Sequence, residues 1–520
     1  MRIVSFHIGP KKLVYMNIAN ESDVRKIKAG VLVNLAGGIS IAGLKGFTMA
    51  MPAIFGVEGF AAYAVVYGLV EILSWGIFNG YGDACIYFQA RGGDDSYKTL
   101  AAGLRQPVFI TTIVAIVLWL LAPWLYQNLW PEQNHVLVDL LRLAMPSLPA
   151  LALTYCLVEA TRAKLDMRWA VLCIQFLFPA LVLIVGVVLQ LGWGLGVRAM
   201  GWGLLLSPWL CLPIALWGFS RHYSILAVLK ESWPGMTDWE VANFALPQSV
   251  SMFVNQGLPR MDILLLSFWS TPQLVAVYGV IAELLLIIRL PKSMLFGVFA
   301  PLVADLSAHG ETGNVQKVLD RFVMLSATCS FALLILTYVF RDHVLQMQGL
   351  ALNVDISWSP VLAFVHLMVG ALGLNGSLLL MHGHARTMMR IALIAIVVEL
   401  GLGLLLVPSY GPWGAVIALG VSTAFLTMVQ VILVDRKLHL DPTQGGGRFW
   451  LSAGIIWMCL VEWFDHGFAS SFWQHIAQFV VGIVAMGLTV LFVRYWKRSN
   501  NSQPFALERF LFWWREFPRV

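Results

Sequence analysis

Residues 242–299 read ANFALPQSVSMFVNQGLPRMDILLLSFW, then STPQ, then LVAVYGVIAELLLIIRLPKSMLFGVF. Each apolar run exceeds the roughly 20 residues that a helix needs to cross a hydrocarbon core. The linker between them, Ser270–Gln273, is short and uncharged, so the pair reads as a hairpin of two membrane-spanning helices. Inside a bilayer no water pairs with backbone N–H and C=O groups, and a helix satisfies them within one segment. Working outward, runs of similar length recur at 29–52, 60–80, 106–126, 137–160, 169–190, 199–219, 321–340, 357–381, 389–408, 413–434, 449–464 and 473–493. With the quoted pair they make about fourteen spans. The expected fold is an all-α polytopic membrane protein.

The basic residues orient these spans. Of the 34 Lys and Arg, 27 fall on one side, counting Arg321 and Arg390 at the ends of their spans, only Arg198 and Arg341 fall on the other, and five lie deeper within spans. Cytoplasmic loops are the ones enriched in Lys and Arg, which places both termini inside and the protein in the cytoplasmic (inner) membrane. With 59% hydrophobic and 12% charged residues over 520 positions, the chain is excluded from the soluble globular class. The same asymmetry accounts for the net charge of +6, so no nucleic-acid partner is expected. Residues 1–28 are polar and basic and lack the apolar core and cleavage site of a removed signal peptide. Cys85, Cys156, Cys173, Cys211, Cys329 and Cys459 are scattered singly and read as apolar packing residues. His382 and His384 have no carboxylate or cysteine nearby in sequence and read as a polar span end. No metal and no organic cofactor is expected, only coupling to H+ or Na+.

Longer cytoplasmic linkers follow spans six and twelve, dividing the chain six plus six plus two. The expected parts are a cytoplasmic segment 1–28, an N-lobe 29–219, a linker 220–241, a C-lobe 242–434, a linker 435–448, two further spans over 449–493 and a tail 494–520. Phe60-Ala-Ala-Tyr63, Glu71 and the segment Arg91-Gly-Gly-Asp94 with Lys98 are echoed by Val275-Ala-Val-Tyr278, Glu283 and His309-Gly-Glu311 with Lys317, about 215 residues on. Spans one and seven, which precede these, are interrupted by Gly37, Gly38, Gly43 and Gly46 and by Pro247, Gly257 and Pro259. A parallel repeat of two pseudo-symmetric six-helix lobes follows, related by an axis along the membrane normal. In the tail, Phe510, Phe512, Trp513, Trp514 and Phe517 alternate with Arg509, Arg515 and Arg519, a composition suited to a helix in the inner headgroup layer.

Ionisable residues within the spans include Lys45, Glu71, Asp139, Arg142, Arg260, Asp262, Glu283, Arg289, Lys292 and Glu399. Each costs roughly 2.5–3.5 kcal/mol at a helix centre on insertion scales, so they must pair, snorkel or line a wet cavity. Asp139 and Arg142, three residues apart, suit a local ion pair, with Arg142 also a cavity cation. Arg289 and Lys292 share a face around the kink expected at Pro291, where snorkelling or cavity roles both fit. Arg260 and Asp262 do not face each other on a regular helix, so each needs a partner elsewhere. Glu71, Glu283 and Glu399 lie nearest the midplane and, with Asp262, are candidates for neutralising cations or carrying coupling ions. Cations in such a cavity suit an anionic substrate, and phosphate is the anionic group of membrane lipids.

Ala276-Val-Tyr-Gly-Val-Ile-Ala-Glu283, Leu290-Pro291-Lys292, Phe299-Ala-Pro301-Leu302 and Ala308-His-Gly-Glu311 together resemble a second-half signature of polysaccharide-export and O-antigen-type flippases. These belong to the multidrug/oligosaccharidyl-lipid/polysaccharide (MOP) superfamily. The resemblance implies fourteen spans in two rocking lobes plus two helices, and translocation of a polyprenyl-diphosphate-linked glycan to the outer leaflet. It implies Lys45 and Arg260 as diphosphate contacts from the two lobes and Arg289 as an inner one. Span one offers only Lys45 rather than an arginine-rich segment, which favours a glycan carrier other than lipid II. Implied partners are the lipid-linked glycan, membrane lipids, and glycan polymerases or glycosyltransferases. Two alternatives stay open: a cation-coupled multidrug antiporter of the same superfamily, and a membrane-embedded glycan ligase or acyltransferase. The second has only Glu132 with His135 and Asp342 with His343 in outer loops to work with, so a transporter rather than an enzyme is expected.

Overall fold

The computed structural model describes residues 37, 38, 40, 50–91, 96–131, 133, 135–164, 166–231, 236–296, 299, 303, 312–350, 355–382, 384–442, 445–467 and 472–499. The N-terminal segment, most of span one with Lys45, the motifs at 300–302, 308–311 and 92–95, and the aromatic tail lie outside these residues. Among the described residues there are helices and turns and no strand. Ten helical segments among the described residues are long and apolar enough to cross a bilayer. Three more long helices, Met236–Trp269, Gly447–Gly467 and Phe472–Ser499, stand where spans seven, thirteen and fourteen are expected.

In chain order the first lobe comprises α1 (Val57–Ile77), α2 (Asn79–Arg91), α3 (Ser96–Leu129), α4 (Val136–Ala144) and α5 (Ser147–Arg162). It closes with α6 (Phe178–Trp193), which continues a π-helical stretch Val171–Leu177, and α7 (Arg198–Ser220). The second lobe comprises α8 (Met236–Trp269), α9 (Pro272–Leu286), α10 (Thr312–Val339), α11 (Ser359–Leu372), α12 (Leu374–Met381), α13 (Ala385–Tyr410) and α14 (Pro412–Leu433). The terminal pair is α15 (Gly447–Gly467) and α16 (Phe472–Ser499). α3 runs on through Pro123, so the loop before α4 is only Trp130–His135, shorter than the hydropathy pattern suggests.

The two lobes repeat one pattern of neighbours. In the first, α5 packs on α3, on α2 and on α7, and α7 packs on α6; in the second, α11 packs on α10, on α9 and on α14, and α14 packs on α13. The same contacts in the same order make this a duplicated unit. α15 and α16 pack on α10, with α15 also on α11, so the terminal pair belongs to the flank of the second lobe. Tyr338 and Arg341 both bind Glu462 there, the latter at 3.1 Å, and Trp457 sits against Tyr338 and Phe331.

Between the lobes, α1 and α2 run antiparallel to α8, from Gly80 beside Ala245 to Gly68 beside Ile263. Near the basic face Ser249 accepts from the Gly80 amide at 3.1 Å and donates to the Ile77 carbonyl, and Gln248 donates to Asp83 at 3.0 Å. Gly80 is required here, because a Cβ would stand 2.1 Å from the Ala245 carbonyl oxygen. At the mid-membrane level Glu71 meets Arg260. Near the opposite face Trp130 donates to Ser267 at 2.8 Å and Gln133 to the Ser270 carbonyl at 2.8 Å.

Candidate functional site

The intramembrane charges gather where α1, α8, α9 and α13 meet. Pro259 supplies no N–H inside α8, which loosens the helical ladder one residue before Arg260. Arg260 is buried, with Nε on Glu71 of the first lobe and Nη1 on Glu283 of α9. Its guanidinium also lies 5.9 Å from the centre of the Tyr67 ring. One cation thus serves two carboxylates and bridges the lobes. An isolated charge at this depth would be prohibitive, and the pairing is what lets three ionisable groups stay in the core.

Asp262, two residues on, faces a different set. It accepts from the Tyr278 hydroxyl at 2.6 Å and from the Ile263 amide at 2.7 Å, and Tyr278 stacks on Trp358 at 4.7 Å. Arg260 and Asp262 therefore find partners apart from one another, as their spacing requires.

Pro291 imposes the next feature. Because it cannot donate to the carbonyl four residues back, α9 tightens into a 3₁₀ turn over Ile287–Arg289 before the helix resumes. That turn carries Arg289, whose Nε and Nη2 are buried with no acceptor. Asp262 and Glu399 are the acidic groups acting on it, and Arg260 is the neighbouring cation. Lys292 follows on the same face. Its side-chain stem lies over Gly373, where a Cβ would come within 2.8 Å of Cδ and Cε, and among the described residues it has no ion-pair partner. Glu399 on α13 accepts from Ser422 at 3.1 Å through one oxygen, while the other, Oε1, is buried without a donor. Guanidinium and ammonium donors left unmade beside a helix break are suited to bind the oxygens of an anion.

Arg142 and Asp139 do not pair with one another. Asp139 binds Arg198 at 2.8 Å on the opposite face, and Arg142 lies 5.0 Å from the Trp119 ring centre. Arg198, arriving from the start of α7, faces the Asp139 carboxylate of α4, whereas the guanidinium of Arg142 lies over Trp119. Arg142 lines a recess with Tyr126, Gln127 and His135, away from the central cations. Lys45 lies outside the described residues.

A polar cluster in the first lobe carries no signal in hydropathy. Tyr155 donates to Asn79, and Glu159 pairs with Arg162 at 3.2 Å. Asp83 joins α8 through Gln248, and the Asn79 amide nitrogen is buried without an acceptor. The available signal was the i, i+4 spacing of Tyr155 and Glu159 on one helix face; their position at the span's inner end concealed it. Among the described residues no group of three or more His, Cys, Asp or Glu could hold a metal ion.

No family model matches the chain, and no curated protein matches it by sequence. Solved structures do match. The inward closed conformation of lipid II flippase MurJ superposes with a TM-score of 0.67 at 13% identity, covering 90% of this chain and 99% of that one. An inward-facing multidrug resistance MATE family transporter of the MOP superfamily gives 0.61 at 12% identity, over 79% of this chain and 98% of that one. The Vibrio cholerae MATE transporter VcmN gives 0.59 at 16% identity, over 80% and 97%. At these identities the likeness is one of fold: this chain has the helical fold of lipid II flippase MurJ and of MATE multidrug transporters.

Proposed function

We propose that this protein is a flippase that carries a polyprenyl-diphosphate-linked oligosaccharide or polysaccharide precursor across the cytoplasmic membrane by alternating access of its two lobes. The observation that carries this reading is Arg289 at a helix break, with Nε and Nη2 buried and without an acceptor among the described residues, and the cation Lys292 three residues on. A diphosphate supplies the missing acceptors, and the two lobes provide the groove in which a hydrated glycan avoids hydrocarbon. Arg260 is neutralised by Glu71 and Glu283 and meets a diphosphate only when one carboxylate gives way. Lys45 remains the proposed first-lobe contact. Asp262 and Glu399, with one oxygen of Glu399 unpaired, are the proposed sites for coupling to H+ or Na+. The fold of a lipid II flippase supports a lipid-linked substrate, and glycan polymerases or glycosyltransferases are the partners such a substrate implies. The basic face is taken as cytoplasmic.

The test is the sidedness of lipid-linked glycan in cells lacking the protein, read with an impermeant sugar-labelling reagent. Accumulation in the inner leaflet, reversed by the intact gene, is expected. Unchanged outer-leaflet labelling overturns the reading. A second reading, a cation-coupled multidrug antiporter, draws on the likeness to MATE transporters and on the acidic pair Asp262 and Glu399. Drug efflux driven by an imposed proton or sodium gradient distinguishes it.

A further inference from the structure

A second charged cluster lies on the basic face of the first lobe, remote from the central cations. Asp166, in the turn after α5, is nearly buried and accepts from three directions: Arg168 at 3.0 Å, the Trp169 indole at 3.1 Å and His222 at 3.1 Å. It therefore fixes the start of the fifth span against the end of the sixth. Arg221 lies across this junction, 4.4 Å from the Trp217 ring centre and 5.6 Å from that of Trp169, and the two indoles meet edge to face at 5.1 Å. Among the described residues Arg221 has no ion-pair partner, and Arg168 has a side chain 74% exposed with one nitrogen beyond Asp166's reach. Trp217 is 57% exposed, and Leu172 and Phe176, successive turns from Arg168 into the membrane, are exposed as well.

We infer that this junction is a docking site for an anionic phospholipid of the inner leaflet, with Arg168 and Arg221 on the headgroup phosphate, Trp217 at the glycerol level, and Leu172 and Phe176 along an acyl chain. Charge complementarity and depth select this occupant. Two guanidiniums with spare donors sit level with an exposed indole, the arrangement that suits a headgroup boundary. An apolar track runs from them into the bilayer, which a soluble acidic peptide would leave uncovered. Asp166 acts as a positioning residue by spending one carboxylate on three donors and keeping Arg168 aimed outward.

The test reconstitutes the full chain in phosphatidylcholine bilayers containing phosphatidylglycerol brominated on its acyl chains. The component of tryptophan quenching that disappears in Trp217→Phe reports occupancy of the site. Half-maximal quenching is expected at about thirtyfold lower mole fraction for brominated phosphatidylglycerol than for brominated phosphatidylcholine, from about 1 kcal/mol for each of two arginines. Arg168→Gln with Arg221→Gln removes that preference. Arg436→Gln with Lys437→Gln, basic residues on the second lobe, leaves it intact. Equal quenching by the two lipids in the unaltered protein overturns the inference. So does retention of the preference in the first double variant, shown folded by its helicity and monodispersity, or an equal loss in the second, which would indicate general attraction to a basic face.

Discussion

Arg260 is buried and Arg289 half-buried with two of its nitrogens out of solvent, and they sit in opposite circumstances. Arg260 holds two carboxylates, so Arg260→Gln leaves Glu71 and Glu283 facing each other unpaired. Removing one member of a buried ion pair costs roughly 3–5 kcal/mol, and a large drop in thermal midpoint is expected. The triple variant Arg260→Met, Glu71→Gln, Glu283→Gln should recover much of it. Arg289→Gln with Lys292→Gln removes donors that the protein itself does not use, so the midpoint should hold while transport falls. Charge-assisted hydrogen bonds are worth roughly 1.5–3 kcal/mol, which corresponds to about ten- to a hundredfold in reconstituted flipping. A midpoint that falls as far as that of Arg260→Gln would show that these cations are structural. At the basic face, burial opposes ionisation of Asp166, but hydrogen bonds from Arg168 and His222 prevail and hold its carboxyl below the usual range. A depressed folded-state pKa stabilises above the ordinary carboxylate value and is lost as pH falls through it. Backbone protection of the turn at 163–168 should therefore be constant at neutral pH and fall below about pH 4. In Asp166→Asn that dependence should vanish.

Helices here are long because the bilayer leaves no alternative, and their interruptions fall where chemistry is placed. Pro291 tightens α9 beside Arg289, Pro259 loosens α8 beside Arg260, and Asn79 begins α2 at the polar cluster of the first lobe. The two proline breaks were legible, since proline lacks the donor wherever it sits in a helix, whereas the break at Asn79 was not. Which charge faces which was not, because Arg260 lies 189 residues from Glu71 in sequence (260 less 71) and only packing of α1 on α8 joins them. The exchange of Arg142 for Arg198 as the partner of Asp139 has the same cause. The close approach of α2 and α8 at Gly80 is an element-level demand. Gly80→Leu places a side chain where Ala245 and Ser249 stand, and overpacking of this kind costs about 1–3 kcal/mol. A lower thermal midpoint and faster proteolysis between the lobes are expected, against a small effect for Gly487→Leu, where a Cβ meets nothing.

At the scale of the whole molecule, the lobes touch along a seam fastened at three depths: Gln248–Asp83, Arg260–Glu71 and Trp130–Ser267 with Gln133–Ser270. Alternating access requires part of that seam to separate. Trp130→Phe with Gln133→Ala removes hydrogen bonds worth about 0.5–1.5 kcal/mol each at one end. Ser270→Cys, buried in the intact seam, should then react several-fold faster with an impermeant maleimide, while cysteines near Gly80 should not. Unaltered labelling would mean that this end does not hold the lobes together.

The sequence by itself determined the long apolar helices, their repeat in two lobes with a terminal pair, the breaks at Pro259 and Pro291 and the residues that could not remain unpaired, and the sign of its loops set the expected direction of the spans. Those follow from local quantities: the length of an apolar run, the sign of a loop, the missing donor of a proline. Only the tertiary structure decided which charges cancel and which stay available. Ion pairing depends on distances of a few ångströms between helices that are remote in sequence, and a hydropathy pattern holds no information about them.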